Sequence, residues 1–369
     1  MNQSVSSDKP FIILGRGIAG VSLVWALIQA GVEPERIHWV GFENSDGSSV
    51  SEAGSRETGD ASQNGASWTP VALINPATGP SAKLIPDAEV ALTHTYSLID
   101  WIQTLNILHS SPNFHVLRPA ASRDMAEKMR QRIEQDQWPA GWQQWLEPEE
   151  CAAQFPGVFH EHGALWIKQG GHVPMPSFLQ QAIEKASSDG ITLASTTTSD
   201  ITQWLDKGTV LCATGASTQS LTTNQQPVWP DLGLHQVKGQ MMTIRLQNPE
   251  EVPKIAISMK GYLAPTETPG EVAVGSTYEH HFEHTEFDEK GRQKLLGVAK
   301  SILPNARFDH DSIRGWAAVR VHQPPERLPV IAKHSTISGL YVFTGFGSKG
   351  LTLAPAAAVR FTQRLLRAV

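Results

Sequence analysis

Apolar positions along the chain fall into two kinds of run, and their order predicts two layers. Phe11-Ile12-Ile13-Leu14 is an unbroken apolar stretch of strand length, residues 18–27 are apolar-rich over a helix length, and 36–42 is apolar again. Short buried runs alternating with helical segments describe a parallel sheet with helices on its faces. The same pattern returns at 176–194, at 208–213 and at 340–369. Between 227 and 300 the character changes. Residues 237–246 alternate in part, and 256–259, 261–265 and 271–277 are short apolar segments divided by Pro and Gly, which predicts a mostly antiparallel sheet. Residues 87–108 and 122–136 read as helices, and 44–67 as a long polar loop.

The junctions between strands and helices carry the candidate chemistry. Gly15-Arg16-Gly17-Ile18-Ala19-Gly20 follows the first strand and opens the first helix. In that context G-x-G-x-x-G predicts a dinucleotide site: glycine permits the turn, lets backbone approach a diphosphate and lets helix pack on strand. The free amides and dipole of the helix start favour the diphosphate. Glu43, 28 residues past Gly15, is the candidate ribose ligand; the alternative is an ordinary loop carboxylate. The small residues Ala66 and Ser67 would let backbone approach the ligand, as would Ala213-Thr214-Gly215 beyond a second buried strand. Gly345-Phe346-Gly347-Ser348-Lys349-Gly350, running into Leu351, forms a second strand, glycine turn and helix start. A phosphate loop of the G-x-x-x-x-G-K-[ST] type is absent from the sequence, which argues against a nucleotide triphosphatase.

Length and charge narrow the classes. At 369 residues two lobes are expected. A net charge of −6 argues mildly against a nucleic-acid partner. No run reaches the roughly 18 apolar residues of a membrane span, and the polar N-terminus lacks a signal-peptide core, so a cytoplasmic location is expected. The two cysteines, Cys151 and Cys212, read as inert buried thiols, and Trp138, Trp142 and Trp145 as packing residues. Glu279-His280-His281-Phe282-Glu283-His284 has neither H-E-x-x-H order nor a clear helix, so it reads as a solvated loop and no metal is expected.

Taken in order, these blocks resemble the FAD-dependent D-amino-acid oxidase superfamily. The matching positions are Gly15, Gly17 and Gly20; Gly170-Gly171 with Pro174; 213–216; Tyr262-Leu263-Ala264-Pro265; Arg320 through Pro329; and 345–350. Within it the chain looks like the C-terminal oxidase half of the bifunctional tRNA 5-methylaminomethyl-2-thiouridine biosynthesis proteins, to which Glu326-Arg327-Leu328-Pro329 is similar. Arg16 departs from the usual small residue, and Glu326 from the usual Asp. The methyltransferase half has no room in this chain.

The resemblance implies an α/β fold: a Rossmann-like FAD-binding domain of the glutathione-reductase type (1–95, 155–226 and 310–369) and a mostly antiparallel substrate domain (96–154 and 227–309). It implies dissociable FAD, since no cysteine lies near Arg320 or 345–350. The implied reaction is hydride transfer from a neutral amine to flavin N5, with imine hydrolysis and reoxidation by dioxygen. Arg320 would clamp a substrate carboxylate or serve a structural ion pair. Tyr262 would cap the pocket or pack in the core. Lys349 would stabilise reduced flavin or be an ordinary loop lysine. A small amine or amino acid is the expected substrate, with a modified tRNA wobble uridine as the alternative. A non-catalytic nucleotide-binding protein and an NAD-dependent dehydrogenase are the competing readings.

Overall fold

The computed structural model describes residues 9–42, 65–102, 115–136, 138–325 and 328–368. The predicted strand, turn and helix at the start are Phe11–Leu14, the glycine turn and Ile18–Gln29. The strand's four side chains are buried on both faces, as its unbroken apolar run requires. It lies inside a six-stranded sheet in the order Thr192–Thr196, Ile37–Phe42, Phe11–Leu14, Thr209–Cys212, Leu340–Thr344, Val330–Lys333. The first five strands run parallel and the last pairs antiparallel as a hairpin. The first helix, the closing helix Gly350–Ala368 and the helices Ala88–Ile102 and Met175–Ser188 pack together over one face of the sheet.

The closing helix contains Pro355, which has no N–H to give the Leu351 carbonyl. Thr95 compensates from a neighbouring helix: its buried hydroxyl lies 3.2 Å from Leu351 O and 3.3 Å from Thr352 O, sharing its proton with Ala91 O at 2.9 Å. The first turn of the closing helix is thereby tied to the helix 88–102.

The second sheet has eight strands in the order Phe308–His322, His235–Leu246, Glu271–Gly275, Tyr262–Pro265, Ala256–Ser258, Val116–Pro119, Ala164–Ile167, Gln143–Leu146. All neighbours pair antiparallel except Ala256–Ser258 with Val116–Pro119. Helix Glu289–Ile302 covers one face through Leu295, Leu296, Ala299 and Ile302. The other face carries Met241, Tyr262 and Trp316.

Sheet membership corrects the sequence boundaries at three points. Phe308–His322 pairs with His235–Leu246 from its first residue to its last, so residues 310–322 belong to the antiparallel sheet. Ala164–Ile167 also joins that sheet, whereas Leu98, Ile99 and Ile102 pack in the core beside the first helix. Periodicity reports which faces of a segment are buried; it is silent on which remote strand supplies the hydrogen bonds.

Candidate active site

The glycine turn is shaped by contacts that leave no room for side chains. A Cβ on Gly20 would stand 2.0 Å from Gly15 O, and one on Gly15, where φ is +109°, would stand 2.5 Å from Ala213 O. Gly15 O also accepts the indole N–H of buried Trp39 at 2.9 Å, fixing the turn against the second strand. At Gly17 a Cβ would come within 2.9 Å of Ser67 Oγ, which accepts the Ile18 amide at 3.0 Å. The amides of Ala19 and Gly20 have no acceptor among the described residues. Ala213 is bonded to the first strand through its amide to Leu14 O at 2.8 Å, and Gly215 O accepts from Thr344 Oγ1 at 3.4 Å. Thr214 joins Thr218 through their hydroxyls at 2.9 Å. Ala66 and Ser67, Ala213 to Gly215 and the turn 15–20 therefore gather at the carboxyl ends of the parallel strands, where ligands of such sheets bind.

The second glycine loop meets the first. A Cβ on Gly350 would lie 2.8 Å from Ile18 Cγ2, so the starts of the two helices touch. Gly345 and Gly347 both adopt positive φ, +83° and +57°. Lys349 is exposed and its carbonyl accepts the amides of Thr352 and Leu353 at 3.1 and 2.9 Å, placing it at the head of the closing helix; Leu351 behind it is buried. Ser348 faces outward beside it. Glu43, Glu326 and Arg327 lie outside the described residues. Arg16 turns away from the loop 345–350: its guanidinium crosses Gly41 to donate to Ala194 O at 2.8 Å.

Arg320 sits where the second sheet meets this loop. From its strand it reaches across the neighbouring one over Gly239, whose missing Cβ would lie 2.3 Å from Arg320 Nη2. It donates to Ser276 Oγ at 3.2 Å and to Thr277 O at 2.6 Å. Its guanidinium lies 4.2 Å from the ring centre of Tyr278. The Tyr278 hydroxyl lies near Ser348, and Gly347 N–H donates to Val321 O at 2.9 Å, so the strand end carrying Arg320 is tied to the second glycine loop. Desolvation works to raise the Tyr278 phenol, but Arg320 and the hydrogen bonds from Ser348 and Ser276 outweigh it and set its pKa below the ordinary value. The residue as a whole is 54% exposed, although its hydroxyl is tucked in beside Ser348 and Ser276. Among the described residues Arg320 has no carboxylate within ion-pair distance.

Tyr262 is close by on the same face. Its hydroxyl donates to Val71 O at 2.8 Å and lies 3.0 Å from Met241 Sδ, which Thr69 also approaches at 2.6 Å. Burial, first, and then the neighbouring Tyr278 raise its pKa, so it remains a neutral phenol throughout the physiological range. Ser276, Thr277, Tyr278, Thr69 and Gly239 were not singled out from the sequence. The lone glycine within an alternating strand was the available signal, because such a residue marks close approach by another group.

Behind this site Asp288 caps helix 289–302 by accepting the Gly291 amide at 2.7 Å. Partial desolvation pushes its carboxyl up, but hydrogen bonds from Lys238, the Gly291 amide and Gln240 together bring it down to about 2. The folded value is the lower one, so the resulting stability is present above the ordinary carboxylate pKa near 4 and lost as pH falls through 2. At neutral pH Asp288→Asn is expected to lower the unfolding free energy by about 1–2 kcal/mol, since it removes the nearer of the two carboxylates that face the Lys238 ammonium. Urea midpoints should converge with wild type near pH 2; a pH-independent difference would assign the loss to the helix cap alone.

The remaining candidates are structural. His280 stacks on His235 with nitrogens 2.8 Å apart, and among the described residues no group of three or more His, Cys, Asp or Glu is placed to hold a metal. Cys151 and Cys212 are buried free thiols that desolvation pushes up to about 11 and 12. Among the described residues no helix is long and apolar enough to cross a membrane.

The chain matches the family of FAD dependent oxidoreductases, DAO, over residues 11–364. It belongs to that family. Its cofactor is FAD, and the cradle of three glycines with two abutting helix starts fits a diphosphate-bridged ligand. The chain is 24% identical to the tRNA 5-methylaminomethyl-2-thiouridine biosynthesis bifunctional protein MnmC of Pseudoalteromonas atlantica, an alignment covering 96% of this chain and 56% of that protein. The chain thus spans little more than half the length of this relative. It is 33% identical to glycine oxidase of Pseudomonas aeruginosa over 40% of the chain and 39% of that enzyme. Glycine oxidase from Bacillus cereus shares the fold, with a TM-score of 0.68 at 18% identity over 98% of this chain and 95% of that one.

Proposed function

We propose that this oxidoreductase oxidises the carbon–nitrogen bond of a small amine bearing a carboxylate, with Arg320 as the carboxylate clamp. The observation that supports this is a half-buried guanidinium whose partners among the described residues are all neutral: Ser276 Oγ, Thr277 O and the Tyr278 ring. A structural arginine at such a site would be expected to meet an acid. A guanidinium left with free in-plane N–H groups suits a bidentate carboxylate. Tyr262, held by Val71 and Met241, walls the pocket as a neutral phenol, and Tyr278 covers the guanidinium. FAD, when bound, supplies the hydride acceptor. The amides of Ala19 and Gly20, with Ser67, would hold its diphosphate, and Lys349 with the start of the closing helix would face its anionic reduced form.

The direct test is anaerobic addition of glycine, sarcosine and D-alanine to the FAD-loaded protein while the visible flavin band is followed. Bleaching by carboxylated amines, and not by methylamine or ethylamine, is expected. Equal bleaching by both sets would remove the clamp from the reaction.

A second reading, in which the amine is carried on a modified tRNA uridine, is supported by the alignment of nearly the whole chain with the Pseudoalteromonas protein. Flavin bleaching by undermodified tRNA, with binding that weakens steeply as salt rises, would favour it.

A further inference from the structure

Gly239 leaves space for Arg320 on one face of its strand, and the two residues flanking it build a buried polar lattice on the other. Lys238 is only 1% exposed, yet it carries an ammonium 2.8 Å from Asp288 Oδ2 and 3.9 Å from Glu279 Oε2. Gln240, equally buried, donates to Glu279 Oε1 and Asp288 Oδ2, both at 2.9 Å, and accepts the Asp288 amide at 2.9 Å. Both lattice residues also grip the segment 277–279 through the backbone. Lys238 and Glu279 exchange N–H···O bonds of 3.0 Å, and the Thr277 amide donates to Gln240 O at 3.1 Å.

Thr277 is the point where the two faces meet. Its carbonyl receives Arg320 Nη2, while its hydroxyl accepts the Gln240 amide at 2.9 Å and donates to Glu279 Oε1 at 2.6 Å. A buried ion pair is weak evidence for stability, because an apolar pair of similar volume would serve as well. A fully satisfied polar network does, however, fix one geometry. Here the geometry fixed is that of the groups against which the guanidinium is aimed.

We propose that Glu279 and Lys238 are positioning residues for Arg320: their buried lattice locks Thr277, whose carbonyl receives Nη2, so that the guanidinium is already oriented before a carboxylate arrives. This rests on Arg320 being the carboxylate clamp. A long flexible side chain loses rotamer freedom on binding, and orienting it beforehand removes that loss from the binding step.

The test uses FAD-loaded protein titrated with acetate, a carboxylate that cannot be oxidised as an amine, with binding read from the shift of the flavin spectrum. Glu279→Gln keeps the shape and removes the charge facing Lys238; Thr277→Val deletes only the hydroxyl link and serves should the Gln variant fail to fold. Each is expected to weaken acetate roughly tenfold or more, as misorientation of a clamp does, with the FAD dissociation constant unchanged. Glu279→Asp, which keeps the charge, is expected to recover part of the loss. Acetate affinity at the wild-type level in both variants, alongside its loss in Arg320→Ala, overturns the inference and leaves the clamp standing. Equal losses of FAD and acetate affinity overturn it too, by showing a general structural role. Acetate binding that is absent from wild type, or indifferent to Arg320→Ala, removes the clamp and this inference together.

Discussion

Replacing Gly20 with valine is expected to abolish stoichiometric FAD binding and leave a destabilised apoprotein. A Cβ at this position would stand 2.0 Å from Gly15 O and 3.0 Å from Trp39 Nε1. Neither neighbour can yield alone, because Trp39 Nε1 and Gly15 O are bonded to each other at 2.9 Å inside a fully buried strand layer. The helix must therefore back away from the strand, carrying the amides of Ile18, Ala19 and Gly20 out of line with the turn. Overpacking of this kind costs about 1–3 kcal/mol or more in folding. Loss of the helix-start amides from the diphosphate should raise the FAD dissociation constant at least about 1000-fold, or about 4 kcal/mol. Gly297→Ala is the matched control: this glycine lies in helix Glu289–Ile302 with no atom within 4 Å of a built Cβ. It should stabilise the protein by about 0.5–1 kcal/mol and leave flavin affinity untouched. Fluorescence titration with FAD reads both. A Gly20→Val protein that still purifies with bound flavin would show that the diphosphate lies elsewhere.

What the sequence made legible follows from the range of the interactions involved. The strand, glycine turn and helix at 11–29 and the same unit at 340–368 are local, each specified by apolar runs and glycines within about one supersecondary motif, and both stand where they were expected. The structure brings the two units together, a Cβ on Gly350 falling 2.8 Å from Ile18 Cγ2. The long strand Phe308–His322 was misplaced because its partner lies some 70 residues earlier, and alternation in each strand is silent on that pairing. The same distance hid half of the candidate site. Arg320 could be picked out, but Ser276, Thr277 and Tyr278 enter only because Glu271–Gly275 and Phe308–His322 flank one common strand. Lys238 was not singled out from the sequence; it is buried because helix 289–302 and the segment 277–279 close over it. Glu43, the expected ribose ligand, lies outside the described residues.

Arg320→Ala is expected to raise KM for a carboxylated amine about 100- to 1000-fold while leaving the bound flavin and the fold intact. The size follows from what is removed: two charge-assisted hydrogen bonds at about 1.5–3 kcal/mol each, reduced by partial exposure, amount to about 3–4 kcal/mol, at 1.36 kcal/mol per tenfold change. The fold should tolerate the change because the guanidinium's protein partners are a hydroxyl, the carbonyl of a residue that stays tied to Gln240 through its own amide and hydroxyl, and an aromatic ring. No buried counter-charge among the described residues is left stranded, in contrast with Asp288. Lysine at the same position should recover charge without the fork and so restore only part of the affinity. The split between kcat and KM carries the mechanistic content. A loss confined to KM makes the clamp a ground-state contact, whereas an equal fall in kcat means it orients the α-carbon towards the hydride acceptor in the transition state. Tyr278 gives an independent readout of where the guanidinium lies. Removing Arg320 also removes the charge that depresses the Tyr278 phenol, so that group should titrate at higher pH in the variant, an effect measurable by ultraviolet difference absorbance. A variant with unchanged KM and an unchanged phenol titration would place Arg320 outside the pocket altogether.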